Sequence, residues 1–220
     1  AAHANIGGGR NNSVYPNAIQ STIGGGSDNK IFSGLSTIGG GFVNSISAEY
    51  ASIGGGSYHQ IQLAATHSTI GGGFNNEILA DSPSATISGG YYQTIHTNSD
   101  YATISGGTYN QILPNSKSSI IGGGNGNTIG TNSPDATIGG GAQNTIENFG
   151  YASTIGGGVG NAIQSYASLA TIGGGEFNSV GASADHAMIV GGYSNRVGGA
   201  YSLAAGRQAQ ALYSGTFVWA

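Results

Sequence analysis

The chain has 220 residues, 43 of them glycine, with only 5 Lys plus Arg against 9 Asp plus Glu, for a net charge of −4. That charge is too low, and isoleucine too frequent, for a disordered segment, and four prolines are too few for collagen. The lack of cysteine removes disulfide scaffolds, thiolate metal sites and thiol catalysis, and five basic side chains could neutralise few phosphates, so no nucleic-acid partner is expected.

From the N-terminus the chain repeats. Isoleucine recurs at Ile6, Ile23, Ile38, Ile53, Ile70, Ile87, Ile104, Ile121, Ile138, Ile155, Ile172 and Ile189, with two shorter intervals before Ile38 and Ile53 and one constant interval everywhere else. The second and third residues after each of these markers are glycine in all twelve units, and the sixth is Asn in ten, with His59 and Gln93 the exceptions. The eighth is Ile or Val, and the residue two before the marker is Ala or Ser, in every unit.

A period of about 15–17 residues is too short for a βαβ crossover and suits one coil of a parallel β-solenoid. Ala85-Thr86-Ile87 alternates small, polar and apolar as a strand with one buried face does, and Asn76-Glu77-Ile78 makes a second short strand. Both isoleucine columns are expected to point inward and stack: Ile23, Ile38, Ile53, Ile70, Ile87, Ile104, Ile121, Ile138, Ile155 and Ile172 form the predicted core. Paired glycines turn the chain, and stacked asparagines suit an amide ladder. Twelve coils at about 4.8 Å each would make a rod roughly 55–60 Å long. The rest of each unit, with Pro83, Pro114 and Pro134, reads as a variable surface loop; the two shorter coils trim this loop and keep both strands. Solenoid coils are expected over 1–199. Residues 200–220, where Leu203 follows Ile189 sooner than the period would place it, read as a shortened coil and a cap or a junction to a following domain; the stop at Trp219-Ala220 suggests that the natural protein continues.

Coils such as Ala136-Thr137-Ile138-Gly139-Gly140-Gly141, and the shorter Ser202-Leu203-Ala204-Ala205-Gly206-Arg207-Gln208-Ala209, resemble the head repeats of YadA-like trimeric autotransporter adhesins and the related β-solenoid shafts of phage tail fibres and bacterial surface fibres. The resemblance covers nearly the whole chain; the longer period and the triple glycine depart from the adhesin pattern. It implies an all-β, left-handed β-roll or β-helix of about twelve such coils, assembled as a parallel homotrimer and located outside the cell, on a cell surface or in a virion fibre. Each coil's small interior separately argues for extra burial through association of identical chains.

No catalytic constellation stands out, and a non-enzymatic protein without cofactor or metal is expected. Asp81 and Asp100 lie in adjacent coils, but paired carboxylates of a glycosidase must converge, and acids scattered in loops are ordinarily solvated. His3, His59, His67, His96 and His186 share no column, so convergent metal ligands are not expected. No Gly-Lys pair exists for a phosphate loop. The column Thr22, Thr37, Thr69, Thr86, Thr103, Thr137, Thr154 and Thr171 would face outward, as a β-propensity ladder or, less simply, an ice-binding array. Phe42, Tyr58, Phe74, Tyr91, Tyr92 and Tyr109 place an aromatic at one turn of five consecutive coils; they are the candidate surface for a glycan or cell-surface receptor, or else corner packing or a trimer contact. Tyr50, Tyr101, Tyr151 and Tyr166 raise the same question in the loops. The expected function is a structural or adhesive fibre segment presenting loops for attachment; a tail-fibre or tailspike receptor-binding protein that cleaves polysaccharide, and an ice-binding solenoid, are the alternatives. No run of about 18 apolar residues predicts membrane insertion, and no charged-then-apolar leader opens the chain.

Overall fold

The computed structural model describes residues 2–220 and is an all-β parallel β-solenoid, with no helix among the described residues. Two compact units are distinguished, one ending at Tyr109 and one spanning Asn110–Ala220.

In the first unit each coil contributes one two-residue strand to each of two parallel sheets. The marker sheet runs from Asn5–Ile6 through Thr22–Ile23, Thr37–Ile38, Ser52–Ile53, Thr69–Ile70 and Thr86–Ile87 to Thr103–Ile104, each strand pairing with the next coil's equivalent. The second sheet pairs Gln60, Glu77 and Thr94 in one row and Ile61, Ile78 and Ile95 in the row beside it. Like therefore lies on like. The markers from Ile23 to Ile104 are completely buried, as are Ile31, Ile46, Ile78 and Ile95. Burying an isoleucine contributes about 1.5–3 kcal/mol relative to leaving it exposed, and two per coil supply most of the apolar drive. The residue before each marker faces out: Thr37 and Thr69 are exposed, and Thr22, Thr86 and Thr103 half-exposed.

The second unit repeats the scheme. Ile121, Ile138, Ile155, Ile172 and Ile189 stack in the marker sheet. Leu203–Arg207 and Phe217–Trp219 add further parallel strands to that sheet, while Gln210–Ala211 joins the second sheet. Ala204, rather than Leu203, takes the inward place of the marker: it pairs with Ile189 and is completely buried, whereas Leu203 pairs with the outward Met188.

Glycine is required at the turn because of a close approach, as well as for flexibility. The third residue after the marker has φ between +85° and +107° in the first unit, and a Cβ built from Gly9 to Gly90 would lie 1.9–2.5 Å from the carbonyl oxygen of the next coil's equivalent glycine. No side chain fits there.

The turn Asn closes the same corner. In the second unit Asn161 Nδ2 donates to Gly157 O (2.9 Å) and to Gly175 O of the next coil (2.8 Å), while its Oδ1 accepts the Asn178 N–H (3.0 Å). Side-chain amides also bond one another from Asn127 through Asn144, Asn161 and Asn178 to Asn195, at 3.0–3.2 Å. The amide ladder exists, and it also satisfies glycine carbonyls and backbone N–H groups that the turn would otherwise leave unpaired.

The segment read as a surface loop differs from that expectation. It carries an inward column of its own, five residues before each marker: Ala48, Ala65, Ser82 and Ser99 in the first unit, Ser116, Ser133, Ala167 and Ala184 in the second, all buried. Ser82 Oγ donates to His96 O (2.8 Å) of the next coil, and Ser133 Oγ to Glu147 O (3.0 Å). Bends come from non-glycine residues in the left-handed region, such as Asp81 (φ 56°), Ser84 (φ 58°), Asn98 (φ 57°) and Tyr101 (φ 59°). Such residues carry strain of about 1–3 kcal/mol, offset by ladder bonds. Their N–H groups point to the preceding coil, as in Tyr101 N–H to Pro83 O (3.0 Å), whereas strand N–H groups point to the following one, as in Thr86 N–H to Ala102 O (2.9 Å). The two shorter coils lack the bend six residues before the marker and keep the one three before it, at Leu35 and Tyr50, so their strands stay in register.

Candidate functional site

The six turn aromatics form one connected ladder within the first unit. The fourth residue after the marker is stacked along the axis, Phe42 on Ser57, Ser57 on Phe74, Phe74 on Tyr91 and Tyr91 on Thr108, in parallel bridges. The fifth is a left-handed corner, occupied by Tyr58 (φ 62°), Tyr92 (φ 55°) and Tyr109 (φ 56°). That conformation swings each corner ring beside its neighbours. Ring centroids are 5.4 Å apart for Phe42–Tyr58 and Tyr58–Phe74, 5.0 Å for Phe74–Tyr91, 4.6 Å for Tyr91–Tyr92 and 5.3 Å for Tyr92–Tyr109. Phe74–Tyr91 and Tyr92–Tyr109 are nearly parallel (15° and 18°), while Tyr91 and Tyr92 cross at 72°. The ladder is a herringbone of the geometry aromatic pairs prefer.

It is open to solvent. Phe42, Tyr58, Tyr91 and Tyr109 are 41%, 42%, 43% and 51% exposed, and Phe74 and Tyr92 half-buried. Partial desolvation holds the Tyr91 hydroxyl above the ordinary tyrosine value, with Tyr92 and Tyr109 adding to the shift. At four coil intervals of about 4.8 Å the ladder is about 20 Å long.

Other ring pairs bridge successive coils at the left-handed bends. Tyr50 lies flat on His67 (4.8 Å, 2°), Phe149 on Tyr166 (4.7 Å, 5°) and His186 on Tyr201 (4.7 Å, 12°). A variable-loop reading of the sequence hides these pairs; the available signal is rings at one distance before successive markers. Tyr101 and Tyr151 are exposed.

Several acidic side chains tie adjacent coils together. Glu147 accepts from Ser165 N–H and Oγ (3.1 and 2.9 Å), Asp185 from Ser168 N–H (2.8 Å), and Glu77 from Gln62 Nε2 (2.7 Å). Ser27 and Asn11 donate to Asp28, and these bonds hold its carboxyl below the usual carboxylate value. Among the described residues no three His, Asp or Glu side chains converge on a point where a metal ion would sit, and no pocket opens.

His59 replaces the turn Asn. It is buried, its Nδ1 accepts the Asn76 N–H (3.1 Å), and Nε2 has no hydrogen-bond partner. Burial pushes its pKa below the ordinary histidine value. His96 is half-buried and lowered for the same reason, with the Glu77 charge opposing.

Comparison with protein-family models and with curated proteins found no match to this chain.

Proposed function

We propose that this chain is a non-enzymatic structural segment of an extracellular fibre, of the kind built from YadA-like head repeats or tail-fibre shafts, assembled as a parallel homotrimer and presenting the aromatic ladder for attachment. The carrying observation is the ladder itself: six contiguous rings left in solvent on a scaffold whose isoleucines are stacked and buried. Rings of this kind favour interfaces because they bring large apolar area with little rotamer entropy to lose. Supporting the trimer are the small interior of each coil and the exposed apolar side chains Leu63, Tyr101, Tyr166, Tyr201 and Phe217, which association would cover.

Two measurements test this. Mass photometry should give a particle near three times the 21.7 kDa chain mass; a particle at the chain mass overturns the trimer. An array of extracellular-matrix proteins and cell-surface glycans, probed with the wild type, Tyr91→Ala and Tyr109→Ala, should show binding that both variants lose. Binding that neither variant changes assigns the ladder to corner packing.

A further inference from the structure

We infer that the ladder's partner is an uncharged polysaccharide chain lying along the coil axis. This rests on the adhesive reading above and adds the chemical class of the ligand. No Lys or Arg occurs between Lys30 and Lys117, so no coil carrying a ladder ring has a cation to pair with a carboxylate, sulfate or phosphate on the ligand. The acids of the same stretch are Glu49, Glu77, Asp81 and Asp100. Three belong to the segment before the marker rather than to the glycine turn, and the fourth, Glu77, already accepts a bond from Gln62. A cationic partner would find a single carboxylate, Glu77, beside six rings, little complement for a polycation.

The chemistry of the ladder and its rim matches a sugar. A pyranose has an apolar face of C–H groups and an edge of hydroxyls that both donate and accept. Rings at alternating tilts offer half-open apolar faces to the first. Polar groups beside them suit the second: the Tyr58, Tyr91, Tyr92 and Tyr109 hydroxyls, Ser57 and Thr108 within the stacked column, and Gln60 and Thr94, two residues beyond the corner tyrosines and outward in the second sheet, with the Glu77 carboxylate between them in that row as a further acceptor. An aromatic floor with a few polar groups that fix orientation is the composition of specific ligand sites, here laid out on an open surface. Successive coils present equivalent positions at about 4.8 Å intervals, so a polymer with its own short repeat meets several rings at once and gains by multivalency, where a monosaccharide meets one or two.

Affinity electrophoresis through gels carrying a neutral glucan, a neutral mannan, a polyuronic acid, a sulfated polysaccharide or polylysine decides the matter. The wild type is expected to be retarded by at least one neutral polymer and by none of the charged ones. Tyr91→Ala and Tyr109→Ala should each weaken retardation about two- to tenfold, the range for loss of one aromatic contact. Gln60→Ala, outside the ring stack, should weaken it without changing the melting curve, which separates ligand contact from folding. Retardation by a charged polymer that depends on the ladder overturns the neutral class and leaves the adhesive reading standing. No ladder-dependent retardation by any polymer overturns this inference, and the array above then decides the adhesive reading independently.

Discussion

Gly73→Ala and Gly72→Ala change neighbouring residues of one turn by the same methyl group, yet the structure assigns them opposite outcomes. A Cβ on Gly73 would lie 2.1 Å from Gly90 O and 2.8 Å from Gly90 N, and the backbone there has φ +100°. Forcing alanine into that conformation carries strain of about 1–3 kcal/mol. Relieving the clash moves Gly90 O, which accepts from Phe74 N–H (2.9 Å) and Asn76 Nδ2 (3.1 Å); weakening two bonds adds about 1 kcal/mol each. The sum is about 3–5 kcal/mol. At Gly72 the nearest atom to a built Cβ is Gly55 O at 3.9 Å, ordinary contact, and the smaller entropy of the unfolded alanine chain favours folding by about 0.4–1 kcal/mol. Urea unfolding followed by circular dichroism measures both. Because coils couple chiefly to their nearest neighbours, hydrogen exchange at the Phe74 and Ser57 amides should accelerate locally in Gly73→Ala. If Gly73→Ala falls within about 1 kcal/mol of Gly72→Ala, the close-approach account of the glycine column is wrong.

His59→Asn should stabilise the first unit by about 1 kcal/mol, since it replaces a buried N–H lacking a partner with an amide that reaches both glycine carbonyls. The folded-state pKa of His59 lies below the ordinary 6.5, so the unfolded chain binds the proton more readily; stability is full above about pH 6.5 and falls as pH drops toward the folded value. Urea titrations at pH 8 and at pH 5 should show a smaller loss for His59→Asn than for the wild type, and an equal loss would move the pH effect to other groups. Asn161→Ala should lower stability by about 3–5 kcal/mol by stranding the Asn178 N–H and the Gly157 carbonyl and by removing one of the two donors to Gly175 O, which keeps the Val159 N–H, whereas Ser153→Ala should lower it by about 1 kcal/mol, because alanine already occupies that column at Ala136 and Ala170; calorimetric unfolding ranks the two. Val43, β-branched at φ 56°, should gain about 1 kcal/mol on replacement by Asn, which tolerates the left-handed region, and a lower melting temperature for Val43→Asn would refute that.

Where one residue type recurs in one column, the structure is legible from sequence. The isoleucine and Ala/Ser columns, the glycine turn and the Asn ladder each leave such a signature, and all are as the repeat implies. The left-handed bends leave none: Leu35, Tyr50, His67, Asp81 and Ser84 share a backbone conformation with no side-chain chemistry in common, because interstrand bonds rather than local preference hold them there. For the same reason the Ser82 and Ser99 column reads as loop until the backbone is seen. The aromatic residues are identifiable as a stripe, but their merging into a single herringbone depends on the corner conformation at Tyr58, Tyr92 and Tyr109, which no residue pattern announces.

Strict register has a genetic consequence. In the second unit, excising Ile138 through Thr154 joins Thr137 to Ile155 and lays Asn127 directly beside Asn161, with every inward column still facing its own kind. Whole coils are thus interchangeable modules, and unequal crossing-over between them can lengthen or shorten the protein without a folding penalty, while any indel that is not compensated within the bend segment shifts both strands out of alignment. In the first unit the same process would set how many rings the ladder carries, so that avidity could be tuned by copy number before a single side chain is altered.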